Sequence, residues 1–419
     1  MCKAALVCRS ALLAGSFLLG SQIAAAAADA GPALTQETVA RLALSHQPLL
    51  EAGAATIRAA QASAVAASQL PDPKFSLGLS DLTIEGSDGL SLTRESDTQF
   101  TAGISQDFPR AEKRRLRGER GTVEVGLRQA ELATRQREIA RDAQLAFLDL
   151  WRADQALALT QAAEKEAGFQ LEAERLRYAS GGSNRQADVV AAELSLELMR
   201  DQVASMEQEI AHYRNTLSRW IGDAAYGPVS SELALATPPD AEQLIATLQA
   251  HPHVLADAQK VKLEETNASL ARQDYKADYS IEAGYGYRPA FADYASVRIS
   301  FELPAFTKNR QDQRLQAALA GAEAARAQLE DSLREHRAQI RLNSADWQSL
   351  QVRLARYRTV LLPDAQKRID SALVAYGAGA SELNSVLMAR RTALDVRLAE
   401  LSLRLDAAKH TVQLAYFFE

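Results

Sequence analysis

The sequence predicts a mainly helical protein with a smaller β-sheet part, built from two copies of one structural unit. Three observations lead to this fold class. The 419 residues include only 12 prolines and 21 glycines, few enough to permit long uninterrupted helices. The same order of segments recurs with a period of roughly 200 residues, well beyond the spacing of solenoid repeats. Four short segments alternate apolar and polar residues, as strands with one apolar face do.

The first 28 residues are predicted to be a secretory signal peptide rather than part of the fold. A basic segment, an apolar run over residues 11–19 and a string of small residues ending at Ala28 follow one another. The apolar run is too short for a membrane-spanning helix, and this order favours cleavage near Ala28. Both cysteines, Cys2 and Cys8, lie in this segment. We therefore expect a mature chain without thiols, disulfides or a lipid anchor.

Each copy contains one predicted β-hairpin, over residues 74–108 in the first copy and 279–303 in the second. The first hairpin has a long polar loop and the second a short one. The final strand of each hairpin contains an Ile-Ser pair and is followed by a proline, Pro109 or Pro304. Proline lacks the N–H that would continue a strand, so both hairpins are predicted to end at equivalent positions.

A long helix is predicted to follow each hairpin. No proline occurs from Ala111 to Tyr178, and these 68 residues at about 1.5 Å each span roughly 100 Å. Apolar residues in both long helices recur at alternating steps of three and four, which predicts coiled coils. A tight turn then precedes a further helix, near residues 178–183 and near residues 376–381. The predicted organisation is a signal peptide at 1–28, a first repeat at 29–226, a proline-containing linker at 227–240 and a second repeat at 241–419.

The four predicted strands imply an assembly of several chains, because a closed barrel needs about eight strands. If the apolar strand faces meet lipid, each unpaired backbone group at an open edge costs several kcal/mol. Several chains must then share one barrel, and three chains would supply about twelve strands. The long helices exceed the roughly 30 Å hydrocarbon core and must project into the periplasm. A barrel joined to a long helical cylinder is a conduit.

Basic residues follow the last strand of each hairpin, and we interpret them as anchors at the membrane interface. They are Lys113, Arg114 and Arg115 in the first copy and Lys308 and Arg310 in the second. Cations at a strand–helix junction fit snorkelling towards lipid headgroups. The alternative is a solvated helix start, although cations there oppose the helix dipole. A nucleic-acid patch is disfavoured by the net charge of −6.

The sequence predicts no enzyme, because it offers no catalytic or cofactor-binding motif. Six histidines form no metalloprotease pair, and neither a phosphate-binding loop nor a Gly-x-Ser-x-Gly elbow occurs. His251 and His253 flank a proline and could bind a transition metal. No carboxylate or thiol stands in the immediate motif, so a helix-start role shared with His46 is favoured, and we predict no metal site.

The chain resembles the TolC-like outer-membrane efflux family, also called outer-membrane factors. The resemblance covers nearly the whole mature chain and is carried by the duplication and by three kinds of segment. These are the Leu-Pro-Asp-Pro segment at 70–73, the segment 103–109 with the basic run after it, and the paired Tyr-x-x-Gly turns. The resemblance implies a homotrimer in the outer membrane of a Gram-negative cell, with a 12-stranded barrel and an α-helical periplasmic tunnel.

The resemblance also implies partners and cargo. The tunnel would dock a periplasmic adaptor and an inner-membrane pump, usually a proton-driven one of the resistance–nodulation–division class. The compact length and the region from 71 to 109 look most like members that serve heavy-metal cation pumps. Two ducts of the same fold remain alternatives, one for drugs or multiple substrates and one for type I protein secretion. A periplasmic coiled-coil adaptor or structural protein would explain the helices but not the four strands.

The Tyr-x-x-Gly turns are the periplasmic tips that meet the adaptor in this family. The matching residues here are Tyr178, Gly181, Tyr376 and Gly379. Their alternative role is simply to end helices, since glycine commonly follows a helix end.

Many relatives close the tunnel with inward acidic residues on the helix after the second tip, and this chain departs from that pattern. Met388 stands near the position where an aspartate often occurs. We hypothesise a periplasmic gate made from Asp188, Glu382 and Arg390. The alternative is that these are ordinary exposed helix residues.

Overall fold

The computed structural model describes residues 33–418 apart from 46, 88, 182–185, 234 and 235. The predicted signal peptide, with Cys2 and Cys8, and His46 lie outside the described residues. The helices are α1 (Gln36–Ser45), α2 (Pro48–Ala67), α3 (Ala111–Ala179), α4 (Gln186–Ile221), α5 (Ala241–Thr247), α6 (Pro252–Gln273), α7 (Gln311–Arg356), α8 (Leu362–Gly377) and α9 (Leu383–Ala415). The strands are β1 (Lys74–Ser80), β2 (Gln99–Phe108), β3 (Tyr279–Tyr287) and β4 (Tyr294–Phe301).

The element order confirms the predicted internal duplication. Two helices, a β-hairpin, a long helix and a further helix occur first as α1 to α4 and then again as α5 to α9. The second long helix is divided into α7 and α8 by a wide π-turn over Tyr357–Leu361. Pro363 lies in the first turn of α8, directly after this π-turn. Since a proline inside a helix loses one hydrogen bond and crowds the preceding turn, the local widening accommodates it.

The four strands form one antiparallel sheet in the order β1-β2-β3-β4. The register places Phe75 opposite Ile104, Ile104 opposite Ala283, and Ala283 opposite Val297. Because side chains alternate between faces, these residues share one face of the sheet. That face also carries Leu77, Leu79, Phe100, Ala102, Phe108, Tyr279, Ile281, Tyr285, Tyr287, Ala295, Ile299 and Phe301.

The two faces of the sheet differ sharply in chemistry. Leu77 on the apolar face is 74% exposed and Val297 is 75% exposed, so the chain itself does not cover this face. The opposite face carries small and polar residues, among them Ser76, Thr101, Glu282, Ser296 and Arg298. Within the described residues, the outer edges of β1 and β4 have no paired strand. The sheet therefore offers an uncovered apolar face and two open edges.

The 69-residue helix α3 is the central element of the helical part. It packs against α1, α2, α4, α6 and α9. The predicted heptad seam is buried at Ile139, Ala143, Leu150 and Ala153, each at most 1% exposed. Trp151 lies in the same core and is fully buried. In the described part of the chain, no helix combines the length and apolar character needed to cross a membrane.

Candidate functional site

Both Tyr-x-x-Gly segments fold into the same helix-ending turn. The N–H of Gly181 donates to the carbonyl of Tyr178 (3.2 Å), and the N–H of Gly379 donates to the carbonyl of Tyr376 (3.0 Å). The φ angles of the two glycines are +73° and +75°. This left-handed conformation strains any residue with a Cβ, so both turns require glycine. The turns that end α3 and α8 are therefore equivalent in their backbone as far as Gly181 and Gly379.

The tyrosine side chains of the two tips have different surroundings. Tyr178 is 51% exposed. The hydroxyl of Tyr376 instead donates to Oε2 of Glu174 at 2.8 Å. The Arg177 guanidinium lies 5.1 Å from the centroid of the Tyr376 ring, within the range of a cation–π contact. Burial and the hydrogen bond to Glu174 raise the pKa of Tyr376 above its usual range.

Glu174 is a fully buried carboxylate near the end of α3, with a relative exposure of 0%. Its Oε1 accepts from Nε2 of Gln170 at 2.6 Å and from Nη1 of Arg177 at 3.2 Å. A buried carboxylate is stable only when hydrogen bonds and a countercharge replace its water. Since Tyr376 lies on α8, this network ties the end of α3 to the end of α8. We call Glu174, Arg177 and Tyr376 the tip link.

Glu174 was not among the predicted site residues, although the sequence contains a signal for it. Glu174 follows Ala167 and Leu171 at steps of four and three along α3, so it continues the buried heptad seam. A charged residue in such a seam needs partners on a neighbouring helix. The seam residues belong to an apolar cluster formed by α3, α4, α9 and the end of α8, and Tyr376 packs against it.

The three residues of the hypothesised gate lie on the helices that leave the tips. Asp188 is in the first turn of α4, and Glu382 is the exposed N-cap of α9. Arg390 lies further along α9, where its Nη1 is 3.2 Å from the carbonyl oxygen and 3.6 Å from Oε2 of Glu166 on α3. Arg390 thus connects α9 to α3 through Glu166, which the sequence analysis did not name.

An open apolar groove of about 320 Å³ lies beside Arg390, between α3, α4 and α9. Leu194 and Met388 in its walls are 60% and 54% exposed. Arg390 and Arg391 also line this groove. Large exposed apolar side chains with cations beside them form a surface suited to an amphipathic partner.

The predicted anchors at the first strand–helix junction are engaged within the chain. The ammonium of Lys113 lies 3.1 Å from a carboxylate oxygen of Asp274 and 3.1 Å from one of Asp278. Burial lowers the pKa of Lys113, but the two carboxylates raise it more, so the net shift is upward. The N–H of Arg110 donates to the other oxygen of Asp278 at 2.9 Å. Lys113 therefore fastens the start of α3 to the segment that leads into β3.

The other predicted anchors are more exposed. Arg115 pairs with Glu112 and Glu119 on its own helix, each at 2.8 Å. Arg114 is half-buried, and its Nε has no hydrogen-bond partner among the described residues. Lys308 and Arg310 lie on the exposed segment between β4 and α7. Next to them Phe306 is 91% exposed, which combines aromatic and cationic side chains as membrane interfaces do.

These features together define a class of protein. An uncovered apolar sheet face with open edges continues into helices about 100 Å long that end in two linked turns. The class is that of proteins in which a sheet with one apolar face is joined to a long helical bundle. The mixed fold predicted from the sequence, with four strands per chain and long paired helices, is confirmed.

Comparison with known proteins gives the family. Residues 39–223 match the family described as outer membrane efflux protein. The match covers most of the first repeat, and the chain as a whole has the TolC-like fold that the sequence predicts. The members of this family are channels, and the family is not known to contain enzymes. No curated protein matches the chain.

Solved structures share the fold over most of the chain at low sequence identity. The outer membrane protein VceC of Vibrio cholerae has a TM-score of 0.77 and 20% identity, covering 91% of this chain and 95% of VceC. CusC, solved in a study of folding and transmembrane channel formation, has a TM-score of 0.77 and 17% identity, with 91% and 92% covered. The open state of the Neisseria gonorrhoeae MtrE outer membrane channel has a TM-score of 0.73 and 16% identity, with 91% and 88% covered.

Proposed function

We propose that this protein is the outer-membrane exit duct of a tripartite efflux system. The observation that carries the proposal is the four-stranded sheet with one apolar face, which continues into helices far longer than a bilayer is thick. Lipid would cover the apolar face, and the helices would carry the conduit through the periplasm. A soluble periplasmic coiled-coil protein would leave this face in water, where exposed leucines, valines and phenylalanines are costly.

A homotrimer is the assembly that fits the open edges of β1 and β4. Three copies would supply about twelve strands, enough to close a barrel and to pair every edge. The polar sheet face would then line the lumen. Its charges pair with each other, because Lys74 lies 2.9 Å from Asp107 and Arg298 lies 3.6 Å from Glu282. Such a lumen has little net charge to select cargo, which supports a passive duct whose pump selects the substrate.

The tips are the proposed contact with a periplasmic adaptor and an inner-membrane pump of the resistance–nodulation–division class. Tyr178 and the two turn glycines would meet the adaptor, together with the apolar groove beside Arg390. Tyr376 is committed to Glu174 and would instead hold the tips in a closed arrangement. MtrE has been solved in an open state, so a channel of this fold can open. Asp188, Glu382 and Arg390 remain candidates for further gate contacts.

Heavy-metal cations are the proposed cargo, on the strength of the family resemblance in the region from 71 to 109. Drug efflux and type I protein secretion use the same architecture and are the alternatives. The proposed membrane anchors are Lys308 and Arg310, beside the exposed Phe306, with Arg114 and Arg115 at the equivalent junction. Lys113 contributes to this junction through its two aspartates.

Growth of a deletion strain tests the function and the cargo together. The strain is challenged with graded Co, Zn, Cd, Ni, Cu and Ag salts and, in parallel, with lipophilic drugs and detergents. Complementation with the intact chain is the control. Sensitivity confined to metals is the expected result. Sensitivity to drugs alone would overturn the metal assignment and leave the duct standing, whereas loss of a secreted protein without any sensitivity would favour type I secretion.

A further inference from the structure

Three histidines meet where α6 packs against α7 and the C-terminal residues fold over both helices. His251 and His336 are buried, with exposures of 2% and 8%. Nε2 of His336 lies 3.2 Å from Nδ1 of His253. The ring of His251 packs edge-on against Tyr416, with the centroids 4.8 Å apart. We call His251, His253 and His336 the histidine cluster.

The hydrogen bonds of His251 fix it as a neutral ring. Its Nδ1 accepts from the backbone N–H of His253 at 3.3 Å, which caps the start of α6. The proton must therefore be on Nε2, which lies 3.1 Å from the carbonyl oxygen of Tyr416 and donates to it. A second proton would have to enter at Nδ1, against a backbone N–H at the positive end of a helix. Protonation of His251 thus breaks the cap.

The bonds of His336 lead to the same constraint. Nε2 of Gln339 donates to Oε1 of Glu335 at 3.0 Å, so its amide oxygen is left to face Nδ1 of His336 at 3.5 Å. His336 then carries its proton on Nδ1 and offers the lone pair of Nε2 to a proton on Nδ1 of His253. An additional proton on His336 would place two N–H groups 3.2 Å apart, pointing at each other.

Charged groups of both signs face the histidine cluster from each neighbouring element. Arg137 on α3, Asp257 on α6 and Glu335 on α7 act on the histidines, and Glu138, Arg141 and Asp142 on α3 act on the neighbouring Tyr416. Nη1 of Arg137 lies 3.5 Å from the Tyr416 carbonyl oxygen that accepts the hydrogen bond from His251. A cation is therefore already present beside this hydrogen bond. Burial lowers the pKa of His251 to about 4, against the bond to Tyr416 that raises it. Burial and His253 lower the pKa of His336.

We propose that the histidine cluster is an acid-sensitive latch that holds the C-terminal residues 412–418 and the start of α6 against α7. In neutral medium His251 is neutral and makes both of its bonds. In acid medium, protonation of His251 at Nδ1 removes the cap of α6, so the start of α6 separates from α7 together with the C-terminal residues that Nε2 of His251 holds. Metal binding does not explain the cluster, because no group of three or more His, Cys, Asp or Glu side chains within the described residues is arranged to hold a metal ion.

The sign of the effect follows from the direction of the pKa shifts. The pKa of His251 is about 4 in the folded chain and about 6.5 in a free histidine. The stabilisation of the closed latch by neutral His251 is complete above pH 6.5 and is lost as the pH falls towards 4. At about pH 4.5 the opening equilibrium of the latch should be roughly 70-fold larger than at neutral pH, from His251 alone.

Amide hydrogen exchange of the intact protein, from pH 7.5 to pH 4.5 and corrected for intrinsic rates, tests the latch. We expect residues 412–418 and the start of α6 to lose protection by about 70-fold, while the core of α3 keeps its protection. The variant His251→Asn retains an acceptor for the helix cap but cannot titrate, so its exchange should depend much less on pH. His212→Asn, at an exposed histidine on α4, is the matched control and should behave as the unaltered protein does.

Exchange of the histidine ring C–H, followed residue by residue in the unaltered protein, gives the pKa of each histidine and does not depend on any variant folding. A pKa of His251 well below 6.5 is expected. A value at or above 6.5, or a loss of protection that His251→Asn leaves unchanged, would overturn the proposal.

Discussion

The tip link makes a quantitative prediction about opening of the tips. The variant Tyr376→Phe removes one hydroxyl and keeps the ring that packs on the apolar cluster. Its hydrogen bond to the buried Glu174 carboxylate is 2.8 Å long, and bonds to charged groups contribute about 1.5–3 kcal/mol. Glu174 keeps Gln170 and Arg177, so the lower end of that range applies. We expect the opening equilibrium to rise about tenfold for each chain.

Single-channel recordings of purified protein in planar bilayers measure this change as an increased open probability. Tyr178→Phe is the matched control, because it changes the same residue type at the equivalent position of the other repeat, where the side chain is exposed. Glu174→Gln should open the tips further, since it removes the countercharge of Arg177. Equal behaviour of the two Tyr→Phe variants, or no change in either, would refute the tip link as a closure.

Two further predictions concern the junction and the sheet. Lys113→Met should lower the free energy of unfolding by about 1–3 kcal/mol, because it leaves two half-buried carboxylates without their cation. The control Arg115→Met removes exposed ion pairs and should cost less than about 1 kcal/mol. Denaturant unfolding compares the two, and equal losses would contradict the structural role of Lys113. Leu77→Arg should cost about 2–4 kcal/mol and abolish membrane assembly, while Ser76→Arg on the opposite face should assemble. Heat-modifiable mobility of unboiled membranes reports assembly, and tolerance of Leu77→Arg would contradict a lipid-facing side.

The elements were predictable because their signals are local. Alternation over residues 75–79 and heptad steps along 111–178 depend on neighbours a few positions away. The first three strands and α3 lie where these patterns place them, whereas β4 ends at Phe301, before the predicted end at 303. The shared order of motifs in two repeats added the family resemblance. Helix and strand bounds therefore needed no knowledge of distant contacts.

The partners of individual side chains were not predictable in the same way. Lys113 was interpreted as a membrane anchor, yet its partners Asp274 and Asp278 lie in the other repeat. Tyr376 was assigned to adaptor docking, but its hydroxyl is bound to Glu174, 202 residues earlier in the chain. Only the packing of α3 against the second repeat brings such groups together, and no local period encodes that approach.

The central claim, that several chains close one barrel through the edges of β1 and β4, can be tested by cross-linking. Within one chain these edges are separated by two strands, about 14 Å, which is beyond the reach of a disulfide. Ser76→Cys is combined in turn with Ser296→Cys, Arg298→Cys or Ser300→Cys, and Ser76→Cys alone is the control. At least one pair should give a ladder of covalent dimers and trimers after oxidation of intact outer membranes. Monomers alone from every pair, in protein that is inserted in the membrane, would contradict the shared barrel.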